Sequence, residues 1–125
     1  MANEDTILFK SSDNVELRLS REAVKHSTNL RMMFEDVGAT TSPLPVTVAD
    51  GKTLLKIFQW MEHYKNEPFL EKDDQDDQFE IPAWDKCFFA NITRQELFDL
   101  TTASHDLGMH QLMVVLCKMV ADSII

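Results

Sequence analysis

Hydrophobic positions alternate with polar ones near the start of the chain and then recur every three or four residues, so the pattern predicts a small sheet followed by helices. The runs Thr6-Ile7-Leu8-Phe9-Lys10 and Val15-Glu16-Leu17-Arg18-Leu19, joined by Ser11-Ser12-Asp13-Asn14, form a hairpin signature. In the second run Val15, Leu17 and Leu19 alternate with Glu16 and Arg18, which predicts one face toward a core and the other toward water. Ser20 is placed to cap a short helix over Arg21 to His26. Ser27 is placed to cap a second over Thr28 to Val37, stopped by Gly38 and buried along Leu30, Met33, Phe34 and Val37. Pro43 to Val48 reads as a third strand whose prolines sit at its beginning, as an edge position requires.

Asp50 caps a longer pattern in which Leu54, Leu55, Ile57, Phe58 and Met61 supply apolar faces, while Lys52, Lys56, Gln59 and Glu62 supply a polar side. It is expected to end near Tyr64 to Asn66. The segment from about 67 to 80 has no apolar period and holds six carboxylates between Glu71 and Glu80, which predicts a long acidic loop. Ile81-Pro82-Ala83-Trp84-Asp85-Lys86-Cys87-Phe88-Phe89 follows, with Pro82 suited to a first helical turn and with aromatic residues that must be buried or covered by a partner. Thr93 and Glu96 make a capping-box pattern ahead of Leu97, Phe98 and Leu100. Gly108 breaks that helix, and a last one from about Met109 carries Leu112, Met113, Val115, Leu116, Met119, Val120 and Ile124 over more than half its circumference. Such a surface needs cover from two sides, one of them the core and the other a partner, a dimer mate or a further segment.

Length and charge narrow the class. The 125 residues, 44% of them apolar, suffice for one globular domain spanning the chain, with a helix hairpin at about 94–123. A net charge of −9 with 12 scattered basic residues argues against a nucleic-acid partner. There is no apolar run of about 18 residues and no secretory signal pattern, so no membrane partner is expected and the protein is placed in the cytoplasm or nucleus. Cys87 and Cys117, 30 residues apart in helical patterns, read as core thiols.

Candidate chemistry is sparse. His105 and His110 are five apart with Gly108 between them and share no helical face, so no metal site is assigned. Ser104, His105 and Asp106 contain triad residue types, but consecutive helix positions point apart, and no catalytic residue is assigned. The acidic run lacks the glycine and closing glutamate of a calcium-binding loop and reads as a solvated linker. Met109, Met113 and Met119 would make an adaptable surface if exposed, with core packing as the default, and Trp60 and Trp84 carry the same two readings.

Several blocks in a fixed order give a more specific signal. Ile7-Leu8-Phe9-Lys10-Ser11-Ser12-Asp13, Phe34-Glu35-Asp36-Val37-Gly38, Gln59-Trp60-Met61-Glu62-His63-Tyr64-Lys65 and, above all, Ile81-Pro82-Ala83-Trp84-Asp85 after an acidic insert resemble the Skp family, adaptors with a BTB/POZ-like fold that join F-box proteins to a cullin scaffold in ubiquitin ligases. Leu97-Phe98-Asp99-Leu100 through Cys117-Lys118-Met119-Val120-Ala121 follow the same order. The resemblance covers nearly the whole chain. It implies an α+β, BTB/POZ-like fold with a small three-stranded sheet and a mostly helical remainder, no enzymatic activity, no cofactor, and two partners, a cullin and an F-box protein. By this resemblance the cullin would dock at His105 and Asp106, with help from Met33 and Phe34. The F-box would meet Leu97, Phe98, Leu100, Leu116, Val120 and Ile124.

Two departures shape the expectation. His105 and Asp106 stand where the family usually has Asn followed by Tyr, so an aromatic anchor is replaced by a carboxylate, a change that can cost several kcal/mol (roughly) at an interface centre and that suits a cullin carrying a complementary basic residue. The family also continues past the equivalent of Ile125 with helices that clasp the F-box. The expectation from this is weakened F-box binding, with a competitor or a self-associating homodimer as the alternative function. An elongin-C-like adaptor fits the Ile81 to Asp85 block less well.

Overall fold

The computed structural model describes residues 6–37, 42–67 and 81–124 of the chain. Strands β1 (Thr6–Lys10) and β2 (Glu16–Ser20) pair antiparallel, with Ile7 opposite Leu19 and Phe9 opposite Leu17. That register puts four apolar side chains on one face, and Ile7, Phe9 and Leu19 are buried there while Leu17 is partly covered. Asn14 turns the hairpin with φ 68°, and the Ser11 amide closes it on the Val15 carbonyl at 2.9 Å. Val15 departs from the predicted alternation. It lies before β2, is 41% exposed, and covers Gly51, where a Cβ atom would come within 2.7 Å of the valine side chain. Glycine is required at that close approach.

The predicted third strand shortens to β3 (Leu44–Pro45), which pairs parallel with β1 and gives the sheet order β2-β1-β3. Pro45 lacks an amide proton, and the Val46 amide then donates to Lys10 O at 2.7 Å before the chain turns away, so an edge position with proline explains both the place and the brevity. Between β2 and helix α1 (Thr28–Val37) there is a 3-10 turn over Ala23–His26. Ser20 does not cap it. Its amide and hydroxyl instead bind the two Glu62 carboxylate oxygens at 2.8 and 2.7 Å, tying β2 to the next long helix.

That helix, α2 (Gly51–His63), begins as predicted with Asp50 accepting from the Thr53 amide at 2.9 Å. Leu54, Ile57, Phe58, Trp60 and Met61 are all buried, because the sheet packs on one side of α2 and α4 on the other. Leu55, expected on one of the apolar faces, falls off both buried stripes and is 46% exposed. Phe58 meets Phe9 edge-on at 5.5 Å.

Three helices complete the described residues: α3 (Ala83–Phe88), α4 (Arg94–Asp106) and α5 (His110–Ile124). Thr93 and Glu96 form the predicted capping box at the start of α4. Gly108, at φ 71°, ends it with paired bonds from Gly108 N to His105 O and from Met109 N to Ser104 O at 3.1 and 2.9 Å, so the chain reverses in three residues. Leu97, Leu100, Ala103 and Leu107 of that arm then face Met109, Leu112, Val115 and Leu116 of the next in one buried cluster. A three-stranded sheet with a mostly helical remainder is therefore observed, consistent with a BTB/POZ-like α+β fold. The acidic loop, the stop at Gly38 and the side chains of Val37 and Ile124 lie outside the described residues.

Candidate functional site

Ser27 shows how the sequence builds the first candidate surface. Fully buried, its hydroxyl accepts from the Leu30 amide at 3.1 Å, capping α1, and donates to the Leu107 carbonyl at 2.6 Å. The Asn29 amide donates to that same carbonyl at 3.1 Å, the Thr28 amide to Gly108 O at 3.5 Å, and the Asn29 side-chain amide to the Asp106 carbonyl. Donors at the start of α1 thus satisfy carbonyls at the end of α4, which otherwise lack partners. His105 and Asp106 stand exposed on the resulting corner.

Met33 and Phe34, assigned to the same surface, are half-buried and packed against the core. Met33 lies one turn beyond Asn29, and the Arg21 guanidinium sits 5.5 Å over the Phe34 ring. Sequence reasoning missed Met32, which is 54% exposed and one turn beyond Thr28. Its signal was present, since it is the apolar residue of α1 that falls off the Leu30-Met33-Phe34-Val37 stripe.

The second surface needs correction. Leu97, Leu100 and Leu116 are 6%, 2% and 0% exposed, so three of the six residues assigned to an outward apolar face are core residues. Spacing explains the difference: Leu97, Leu100 and Leu107 share the inward stripe of α4, whereas Phe98 is rotated about 100° from Leu97 and is 47% exposed. On α5, Met113, Val114, Met119 and Val120 are half-buried, while Met109 is buried. The apolar side chains that α4 and α5 leave outside the core are thus Phe98 on α4 and Met113, Val114, Met119 and Val120 on α5.

The Ile81 to Asp85 block is an internal clasp. Asp85, 1% exposed, accepts from Trp60 Nε1 at 3.0 Å and from the Tyr64 hydroxyl. Burial, and then that bond, pushes the Tyr64 phenol well above its ordinary range. Trp84 stacks between His63 and Phe88, with ring centroids at 3.5 and 4.6 Å, and Lys56 Nζ lies 4.0 Å over the Phe88 ring. His26, packed edge-on against Trp60, donates from Nε2 to the Tyr64 carbonyl at 2.6 Å, and burial lowers its imidazole below the ordinary value. Trp60 thus takes its core reading, and Trp84 belongs to the half-buried edge of the same aromatic group.

Little in the described residues suggests bond-making chemistry. Among them no three His, Cys, Asp or Glu side chains are grouped to hold a metal ion. Ser104 is buried and donates to the Thr101 carbonyl, away from a relay with His105. Cys87 and Cys117 are free and exposed, which overturns their reading as core thiols. No described helix is long and apolar enough to cross a membrane.

Comparison with known proteins agrees with this architecture. Residues 5–66 match the model of the Skp1 family, tetramerisation domain. The E3 ubiquitin ligase complex SCF subunit sconC of Aspergillus flavus is 33% identical over 95% of this chain and 75% of its own length. The protein of the same name from Talaromyces marneffei is 30% identical over 94% of this chain and 75% of its own. Suppressor of kinetochore protein 1 of Schizosaccharomyces pombe is 31% identical over 91% and 73%. With residues 5–66 matching that model and relatives at least 30% identical aligned over more than nine-tenths of the chain, the chain belongs to the Skp1 family.

Proposed function

We propose that this protein is an adaptor subunit of a cullin-dependent, SCF-type ubiquitin ligase that links a cullin scaffold to an F-box substrate receptor. The observation that carries the reading is that two surfaces leave apolar side chains outside the core. One is the corner where α1 meets the end of α4, and the other is the apolar strip of Phe98 and the half-buried side of α5. The names of the relatives, SCF subunits of an E3 ubiquitin ligase complex, supply the biological frame.

Its mechanism is positioning, with no bond made or broken by this chain: each surface holds one partner, and tethering raises the effective concentration of substrate near the ligase machinery. Work of that kind belongs in the cytoplasm and nucleus. Asp106 presents an exposed carboxylate at the corner, and Met32 is an exposed apolar residue of the helix whose start meets it, so the fitting scaffold offers a basic residue and an apolar one. Calorimetric titration against a panel of cullin amino-terminal domains tests this. Asp106→Tyr is expected to shift preference among them by about tenfold or more, as removal of a centrally placed charge pair does, whereas an unchanged ranking would remove Asp106 from the interface.

A further inference from the structure

A cleft of about 270 Å³ opens between the first half of α2, the residues after α3 and the start of α4. Phe88, Ile92 and Leu100 give it an apolar lining, and Lys52, Lys56, Thr53, Asn91 and Glu96 surround them. It lies away from the cullin-facing corner, since Glu96 and Asp106 are ten residues apart on one straight helix, about 15 Å.

The charges in the cleft are not balanced. Lys52 Nζ is 2.7 Å from Glu96, and this pair, with the Thr93 amide, holds the Glu96 carboxyl down at about 2. Lys56, one helical turn along, has as its contact among the described residues the ring of Phe88 at 4.0 Å rather than a carboxylate. Among the described residues, the cleft of this chain of net charge −9 thus keeps one cation over an apolar floor. The Thr53 hydroxyl and the Asn91 amide on the same rim are further donors.

We infer that this cleft is a binding site for a small amphipathic carboxylate, an acid on a short arm carrying one ring or branched apolar group. The carboxylate is held by Lys56 with Asn91 and Thr53, and the apolar group lies against Ile92, Leu100 and the edge of Phe88. Size sets the class: the volume is below the ~300–1,000 Å³ typical for drug-sized ligands, so one ring fills it. Charge sets the polarity, because the ligand's anion matches Lys56, which no carboxylate among the described residues pairs with, and a charge-assisted hydrogen bond is stronger than a neutral one.

The test is a nuclear magnetic resonance titration of the isotopically labelled chain with 3-phenylpropionate, its neutral amide 3-phenylpropanamide, and acetate. Saturable shifts at Lys52, Lys56, Asn91, Ile92 and Leu100 are expected with the acid, with binding about tenfold weaker for the amide and for acetate. Lys56→Met, whose side chain still covers Phe88, is expected to weaken the acid by about the same factor and leave the amide unchanged. Equal binding of acid and amide, saturable shifts centred elsewhere, or no saturable shift would overturn the proposal. The amide comparison is made on the unmutated chain and does not depend on how the variant folds.

Discussion

Asp85 concentrates the physical argument of this fold in one side chain. A carboxylate 1% exposed is stable there because Trp60 and Tyr64 donate to it, and those donors in turn need an acceptor once buried. Asp85→Ala is expected to cost about 2–4 kcal/mol, since it leaves the indole N–H and the phenol without a partner; a denaturant melt followed by tryptophan fluorescence reads it, and a loss below about 0.5 kcal/mol, the range of surface substitutions, would contradict the clasp. Glu96 makes a pH-dependent case. Its carboxyl is depressed from 4.5 to about 2 by Lys52 first and then by the Thr93 amide. A carboxyl lowered in the fold contributes stability that is present above 4.5 and lost as pH falls through that value toward about 2. Lys52→Met is expected to flatten the fall in melting temperature across that interval, and an unchanged slope would show that the ion pair contributes nothing.

Elements were legible where their signal was local. The β1/β2 hairpin, the Ser27 and Asp50 caps, the Thr93 and Glu96 capping box and the Gly108 break all rest on neighbours within a few residues, and all formed as the sequence predicted. What failed depended on distant partners. Ser20 was spent on Glu62, 42 positions away, instead of on a helix cap. Val15 covers Gly51, and periodicity along its own run could not show that. The direction of a wide apolar helix was the largest gap: spacing separates the Leu97 and Leu100 stripe from Phe98, but which stripe faces inward is set by the packing of α4 on α2 and α5. Half of the residues that the resemblance gave for that surface are therefore core. This yields a prediction at the level of the strip. Phe98→Ala is expected to change stability by no more than about 0.5 kcal/mol, as an exposed position does, while weakening an F-box partner by about tenfold or more, as loss of an aromatic anchor does. Equal effects on melting and on binding would place Phe98 outside the interface.

At the scale of the whole molecule, α2 organises the rest. It is buried between the sheet and α4, carries the Asp85 clasp at its end and the Lys52 and Lys56 rim near its beginning, and receives β2 through Ser20 and Glu62. A body braced in this way can present two separate surfaces without moving either when the other is occupied, which is what an adaptor that works by positioning needs. The most direct test is to mix the purified chain with a cullin amino-terminal domain and an F-box protein and to measure the mass of the assembly by size-exclusion chromatography with light scattering. The account predicts a complex of one copy of each, in which the cullin domain and the F-box protein associate only when this chain is present. A chain that binds neither partner and runs as a dimer by itself would contradict it.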